Sequence, residues 1–337
     1  MSHNITIEGG TSKRLPVAGK YCDQDIIITA TGGGGGGGDS GDIDAVVDGT
    51  LTALNSNATA VKPYFNYENT ALTSVSLPLA TTIGDYAFYG NANLTSLDAP
   101  LLQTVNPYAF SGTKFSSLSL PAVTTIGERA FEDNTSLTSL NAPELRTVDN
   151  YGFYNNTALA TVYAPKVTKL DASCFRNTKL TTVDFPLATG TVGTYAFYQT
   201  QVTSVNLPLV TALNNYVFAR CTALTSINLP AATSVGQYAF QNDTALTFVD
   251  LPVCTTINNY VFNGCTALNT IVLRSTTLCK LSGTAAFTNT PYAKGNAGGK
   301  VYVPSALISS YQTATNWKTF VGYGTLEFVA IEGSEYE

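Results

Sequence analysis

Prolines recur at positions 78, 100, 121, 143, 165, 186, 208, 230 and 252. Phenylalanines keep the same beat at Phe88, Phe110, Phe131, Phe153, Phe175, Phe197, Phe218, Phe240 and Phe262. Every interval between successive prolines is 21 or 22 residues, and Phe65 and Phe287 extend the phenylalanine series at either end. A fixed period of this size means a stack of similar coils, each burying its apolar side against its neighbours. At 337 residues the chain would otherwise suggest about two ordinary domains. The repeat turns most of it into one array.

One unit runs Leu72-Thr-Ser-Val75-Ser-Leu77-Pro78-Leu-Ala80-Thr-Thr-Ile83-Gly84-Asp-Tyr86-Ala87-Phe88-Tyr-Gly-Asn91. Leu72, Val75 and Leu77 are expected to point inward from a short strand, which Pro78 ends because it has no N–H to give to a ladder. Ala80, Ile83, Ala87 and Phe88 supply the remaining walls. The Gly84 column recurs as Gly127, Gly193 and Gly236, with Asn at 106, 214 and 258. Gly and Asn both tolerate positive φ, so this column is expected to be a turn. The Asp-Tyr-Ala-Phe segment is too short for a stable α-helix and is expected to form a turn of 3-10 or α.

The shorter intervals have a local cause. Most coils carry a four-residue link, such as Asn134-Thr-Ser-Leu137, whereas Thr113-Lys-Phe115, Thr178-Lys-Leu180 and Thr200-Gln-Val202 have three residues. In the third, an extra residue near Gly190 hides the shortening. The core columns are expected to stay in register across these links. Both ends of the stack should be capped, since open coils invite pairing with other chains. Asp42–Gly49 has an Asp N-cap and a Gly stop, the signals of a short helix over 42–50. Residues 291–337 form the other cap. There Pro304-Ser305 opens an amphipathic segment to Ala314, followed by Trp317, Phe320 and a strand from Leu326 to Ile331.

The repeat Leu-Thr-Ser-Val-x-Leu-Pro-x-Ala-Thr-x-Ile-Gly-x-Tyr-Ala-Phe-x-x-Asn/Cys resembles the BspA-type leucine-rich repeat of bacterial and phage proteins. It covers residues 51–290, and ten units agree. The resemblance implies a mainly β leucine-rich-repeat solenoid of about 10–11 coils with short 3-10 or α turns, capped at both ends. Gly10–Ala30 resembles a short module of tail-associated proteins in phages and prophages. Residues 1–30 are accordingly expected to be a small β attachment module. Residues 31–41, with seven consecutive glycines (Gly32–Gly38), are expected to be a linker.

The N-terminus lacks the basic and apolar regions of a secretory signal, and no run of 18 apolar residues occurs. Membrane insertion is not expected. Six cysteines invite a disulfide reading, but Cys221 and Cys265 lie 44 residues apart, two coils and roughly 10 Å at about 4.8 Å per coil. Cys174 and Cys254 fall in columns otherwise filled by Ala, Gly, Val or Leu. The cysteines are expected to be reduced and structural.

Only 12% of residues are charged, the net charge is −6, and the one histidine is His3. A Ser-His-Asp triad or a His-rich metal centre cannot be assembled from this set. Seventeen Lys and Arg residues in an acidic chain argue against nucleic-acid binding. The glycine run is no phosphate loop, because Gly298-Gly-Lys300 is followed by Val301. No catalytic residue, metal site or cofactor is expected.

Two outward columns remain as candidate ligand contacts. Two residues before each proline lie Ser76, Asp98, Ser119, Asn141, Tyr163, Asp184, Asn206, Asn228 and Asp250. Their carboxylates sit coils apart, too far for paired acid–base work, which needs about 5–9.5 Å. Four residues before each proline the column is mostly Ser or Thr, which suits a solvated sheet. Two residues before each phenylalanine stand Tyr86, Tyr108, Tyr151, Tyr195, Tyr216, Tyr238 and Tyr260, interrupted by Arg129 and Ser173. Such rings offer apolar bodies with polar tips. They either stack on a sugar or protein ligand, or seal the phenylalanine column beneath.

The resemblance implies a non-enzymatic recognition protein. One reading is a phage or prophage tail-associated protein, with residues 1–30 on tail components and the solenoid on a host cell-surface protein or glycan. It would then be found on the virion, assembled in the bacterial cytoplasm. The alternative is a bacterial cell-surface leucine-rich-repeat adhesin. A glycan hydrolase is a third reading, disfavoured by the separated carboxylates.

Overall fold

A computed structural model of the chain describes residues 52–296 and 298–337, together with the backbone of Asp42–Ile43. Residues 1–41, which contain the expected attachment module and linker, lie outside the described residues. The fold is a mainly β solenoid of about ten turns with few short helices. It divides into two compact units, one ending at Ala164 and one beginning at Pro165.

Each coil contributes two short strands, and equivalent strands of successive coils pair in parallel. In the N-terminal unit the first series is Ala53–Asn55, Ser74–Ser76, Ser96–Asp98, Ser117–Ser119, Ser139–Asn141 and Thr161–Tyr163. The second is Asp42–Ile43, Ala60–Val61, Thr82–Ile83, Thr104–Val105, Thr125–Ile126 and Thr147–Val148. The central residue of each first-series strand points inward, as in Val75 at 1% exposure, while its neighbours face out. Alternation with period 2 follows from the pleat.

The phenylalanine column forms the spine of the core. In the N-terminal unit Phe88, Phe110, Phe131 and Phe153 stack with centroids 5.2–5.5 Å apart and planes within 13° of parallel. In the C-terminal unit Phe175, Phe197, Phe218, Phe240, Phe262 and Phe287 continue the same arrangement at 5.3–5.8 Å. Offset stacking of this kind adds about 0.5–1.5 kcal/mol per pair beyond area burial. Threonine hydroxyls knit the outer wall. Thr73, Thr95 and Thr138 each donate to a backbone carbonyl of the preceding coil, and Thr233 and Thr255 do the same in the C-terminal unit. This bonding explains how so few charges suffice on the coil surface.

The short links leave a mark on the sheet although the core columns hold. In the N-terminal unit the first strand series breaks between Ser96–Asp98 and Ser117–Ser119, where the three-residue link Thr113-Lys-Phe115 intervenes. Leu97, at the break, is half-exposed instead of buried. In the C-terminal unit the series breaks after Ser204–Asn206, and Val205 is half-exposed. The extra residue near Gly190 is taken up by a register shift between Gly190 and Thr191.

Three local expectations are corrected. The Gly84 column is not left-handed. Gly84 is needed because a Cβ there would lie 2.5 Å from Pro63 N and 2.7 Å from Val61 O of the preceding coil. Gly193 and Gly236 are hemmed in by backbone in the same way, at 2.3 and 2.5 Å. Positive φ falls instead on the tyrosine column, as at Tyr86 (φ 55°) and Tyr108 (φ 57°). It falls again four residues on, as at Gly90 (φ 68°) and Asn155 (φ 59°).

The Asp-Tyr-Ala-Phe turn is likewise no 3-10 helix in the coils that have another coil after them. Tyr86, Phe88 and Gly90 donate their N–H groups to Pro107, Ala109 and Ser111 of the next coil, while Ala87, Tyr89 and Asn91 bond back to residues 84, 86 and 88. Alternating outward and inward bonds require a change of backbone hand, which the left-handed residues provide. Among the described coil turns of this kind only Thr284–Phe287, with Ala285 in the tyrosine position, is 3-10.

At the N-terminal end Asp42–Ile43 pairs in parallel with Ala60–Val61, adding a rung where a helix start is expected. The rest of 42–50 lies outside the described residues. At the other end the chain forms two short helices and a strand. Helices Ile308–Thr313 and Trp317–Tyr323 set Trp317 and Phe320 over Phe287 and Tyr311 against Trp317, and strand Leu326–Ala330 pairs with Gly299–Val303.

Candidate functional site

The outward side chains of the first strand series form a polar face. In the N-terminal unit, strands Ser117–Ser119, Ser139–Asn141 and Thr161–Tyr163 pair residue for residue and line a shallow depression of 430 Å³. The outward side chains of Ser117, Ser119, Ser139, Asn141, Thr161 and Tyr163 line it, over the backbone of Leu118, Leu140 and Val162. Tyr163 is 61% exposed. A large aromatic ring standing on a sheet of small hydroxyl residues supplies contact area that needs little ordering.

The other candidates of this column divide into three kinds. Asp98 accepts a hydrogen bond from Ser76 at 3.3 Å, and Asp184 from Asn206 at 2.7 Å, so these carboxylates are tied to neighbouring strands. Asn141, Asn206 and Asn228 are exposed. Asp250 departs from expectation, because it is 8% exposed and ion-paired with Arg274. The backbone carbonyl of Tyr336 accepts from Arg274 Nε, and the Tyr336 ring lies 5.5 Å from Phe248 and 4.6 Å from Tyr302. The C-terminal segment thus covers the strand face at Asp250 and withdraws it from ligands. Asp184 and Asp250 are also separated by the strands of Asn206 and Asn228.

The tyrosine column is a ladder of half-buried rings. Tyr64, Tyr86 and Tyr108 stack at 5.0 and 4.5 Å within 8° of parallel. The interruption at residue 129 is filled, with the Arg129 guanidinium lying 4.1 Å from the Tyr151 centroid and 5.8 Å from that of Tyr108. Arg129 is held by Glu132 at 2.6 Å. In the C-terminal unit Tyr195, Tyr216, Tyr238 and Tyr260 stack at 4.6–4.8 Å, with Arg176 4.9 Å from Tyr195. Within each ladder the ring faces are occupied by one another, so a ligand meets ring edges and hydroxyls. Desolvation, then repulsion from Tyr108 and Tyr64, raises the Tyr86 phenol above its ordinary pKa, and Tyr216 is raised by the same causes from Tyr195 and Tyr238.

A second column is inward and polar, and the sequence reading passes over it. Three residues after each phenylalanine stand Asn91, Thr113, Asn134, Asn156, and in the C-terminal unit Thr178, Thr200, Cys221, Asp243, Cys265 and Thr290, all buried. Asn91 Nδ2 donates to Asn66 O, and Asn134 and Asn156 accept from backbone N–H groups of the coil before each. Asp243 Oδ1 accepts from Cys221 N–H at 2.8 Å. Burial pushes the Asp243 carboxyl well above the usual carboxylate range and the Cys221 and Cys265 thiols upward. The signal available was the Asn/Cys at the end of the consensus unit. These side chains close the turn from inside and face no solvent.

Among the described residues no cluster of three or more His, Cys, Asp or Glu side chains is placed to hold a metal ion. No described helix is long and apolar enough to cross a membrane.

A stack of 21–22-residue coils whose equivalent short strands pair in parallel, joined by hydrogen-bonded turns, defines a leucine-rich-repeat protein. Residues 59–181 and 190–302 match the family model of the BspA type leucine rich repeat region, in six copies, and the chain belongs to this family. Solved structures with a similar fold include the pneumococcal vaccine antigen PcpA (TM-score 0.50, 14% identity, 83% of this chain and 79% of that one). A leucine-rich repeat protein from Bacteroides ovatus has a TM-score of 0.45 at 16% identity over 98% of this chain and 99% of that one. A leucine rich cell surface protein from Faecalibacterium prausnitzii has a TM-score of 0.40 at 19% identity over 76% and 89%. The curated proteins contain no match to this chain.

Proposed function

We propose that the chain is a non-enzymatic binding protein of the bacterial cell surface, whose first strand face recognises a protein partner. The observation that carries this reading is the depression around Tyr163. It is open and free of charged groups, with hydroxyl and amide side chains and one exposed ring standing on the outer face of three paired strands. Interfaces concentrate their energy in such aromatic residues, with small polar contacts around them excluding water. The description of the Faecalibacterium prausnitzii protein as a cell surface protein favours the adhesin reading over the phage-tail reading. The tail reading rests on residues 1–30, which lie outside the described residues.

The test is an array of purified extracellular proteins and glycans probed with the whole chain. Protein spots should bind, and Tyr163→Ala and Asn141→Lys should each weaken them about tenfold or more, in the range of a truncated interface anchor. Tyr86→Ser should leave them unchanged. Binding confined to glycan spots, or binding indifferent to Tyr163, overturns the proposal.

A further inference from the structure

Two thiols meet in adjacent coils of the C-terminal unit. Cys254 stands in the inward column held by Val167, Ala188, Val210 and Ala232, and Cys279 follows it in the next coil; all are buried. The two sulfurs lie 3.8 Å apart, with Cys279 donating to Cys254. Beside them Thr256 and Ile257 pair in parallel with Lys280 and Leu281. Paired strands are about 4.8 Å apart, inside the Cα separation of about 4.4–6.8 Å that a disulfide spans. The sulfurs, 3.8 Å apart, need only a short closing movement to reach the bonded separation of about 2.0 Å. Cys221 and Cys265 differ in this respect, because the coil of Asp243 lies between them.

The backbone of Cys279 is gripped by the C-terminal cap. Its N–H donates to the Tyr311 hydroxyl at 2.9 Å, and its carbonyl accepts from Trp317 Nε1 at 2.8 Å. A bond from Cys279 to Cys254 would thus tie the cap-bearing coil to the coil before it.

We propose that Cys254 and Cys279 are a peroxide-responsive dithiol whose oxidation staples the capped end of the solenoid. The hydrogen bond from Cys279 lowers the pKa of Cys254, so Cys254 ionises first, while the same bond and burial raise Cys279. The Cys254 thiolate attacks hydrogen peroxide; an S–O bond forms, the O–O bond breaks, and hydroxide leaves to become water on taking up a proton. Cys279 sulfur then attacks the Cys254 sulfenic acid; the S–S bond forms, the S–O bond breaks, and the departing hydroxide leaves as water with the Cys279 proton. Two thiols are oxidised by two electrons and one peroxide is reduced to two waters. Peroxide is small, and the ends of a repeat stack open more readily than its middle.

The experiment uses the full chain, fully reduced and then treated with hydrogen peroxide. Denaturing thiol titration should show two of the six thiols lost. Intact mass should fall by two hydrogens, and peptide mapping should return a Cys254–Cys279 cross-link. The melting temperature should rise by a few degrees and fall back with dithiothreitol. Cys254→Ala, which places the residue of Ala188 and Ala232 in this column, should fold and lose both the cross-link and the shift. A disulfide mapped to any other pair, oxygen-bearing cysteines with no cross-link, or an unchanged melting temperature in the cross-linked chain overturns the proposal.

Discussion

The Arg129 guanidinium lies 4.1 Å from the centre of the Tyr151 ring and takes the place of a tyrosine in the ladder. It also pairs with Glu132 at 2.6 Å. Desolvation outweighs the effect of Arg129 and leaves the Glu132 pKa raised. Arg129→Ala removes both the stacking partner and the countercharge of a mostly buried carboxylate. It should cost about 1–3 kcal/mol, the range for leaving a buried polar group without its partner. The loss should appear in urea unfolding at neutral pH and shrink in acid, where Glu132 is protonated in the folded and unfolded chains alike. A variant equally destabilised at both pH values would contradict the role assigned to Glu132.

Gly84 and Gly112 should respond oppositely to asparagine. A Cβ at Gly84 meets backbone at 2.5 Å, whereas at Gly112 the nearest atom is 3.7 Å away. Gly112 has φ 75°, and Asn155 and Asn177 adopt positive φ in the same column. Gly84→Asn should lose about 1–3 kcal/mol through forced backbone shifts, even though Asn106 occupies that column in the next coil. Gly112→Asn should stay within about 1 kcal/mol, the scale of glycine's entropic handicap. Melting curves of the two variants decide it.

Asp243 is fully buried and its pKa is raised by desolvation. The folded state therefore holds a proton that the unfolded chain releases at lower pH. Its contribution favours folding below the unfolded pKa, and stability is lost as pH rises from there through the folded pKa. Asp243→Asn keeps the acceptor for Cys221 N–H and removes the titration. The melting temperature of the variant relative to the parent should climb between pH 4 and pH 8. A constant difference over that range would mean that the carboxyl does not titrate differently on folding.

Arg274 holds both Asp250 and the Tyr336 carbonyl. Arg274→Ala should detach the final residues from the strand face and leave Asp250 without its ion pair. Because the Arg274 side chain is 32% exposed, the cost should be about 1–2 kcal/mol, below the range of about 3–5 kcal/mol for a fully buried pair. Hydrogen exchange at Ile331 N–H and Ser334 N–H should accelerate, while exchange in the coil of Phe218 stays unchanged.

The spine of the fold was legible because it is periodic. Phe88, Phe110 and Phe131 recur at coil spacing, and stacking is the way identical rings pack at that spacing. Pro78 and the buried Cys174 and Cys254 follow the same logic of column identity. The left-handed residues were not legible in this way. Tyrosine is a poor residue for positive φ, at about 1–2 kcal/mol, and nothing local marks Tyr86 as the place. The cost is offset only in the stack, where its N–H reaches Pro107 O at 2.9 Å and its ring lies between Tyr64 and Tyr108. The glycine at 84, which carried the turn signal, answers to the crowding of the previous coil.

The candidate site shows the same division. Tyr163 and Asn141 were identifiable as outward by alternation, and they are exposed. Asp250 has the same alternation but is covered by Tyr336, more than eighty residues away in the chain.

The sequence by itself determined the coil, its period and its inward columns, because those follow from patterns repeated within 22 residues. Only the tertiary structure decided which column turns left-handed, that the tyrosine faces close on one another, which face residue the C-terminal segment covers and which two cysteines meet. Each of these depends on contact between neighbouring coils or with the end of the chain, and such contacts leave no mark in the spacing of any single repeat.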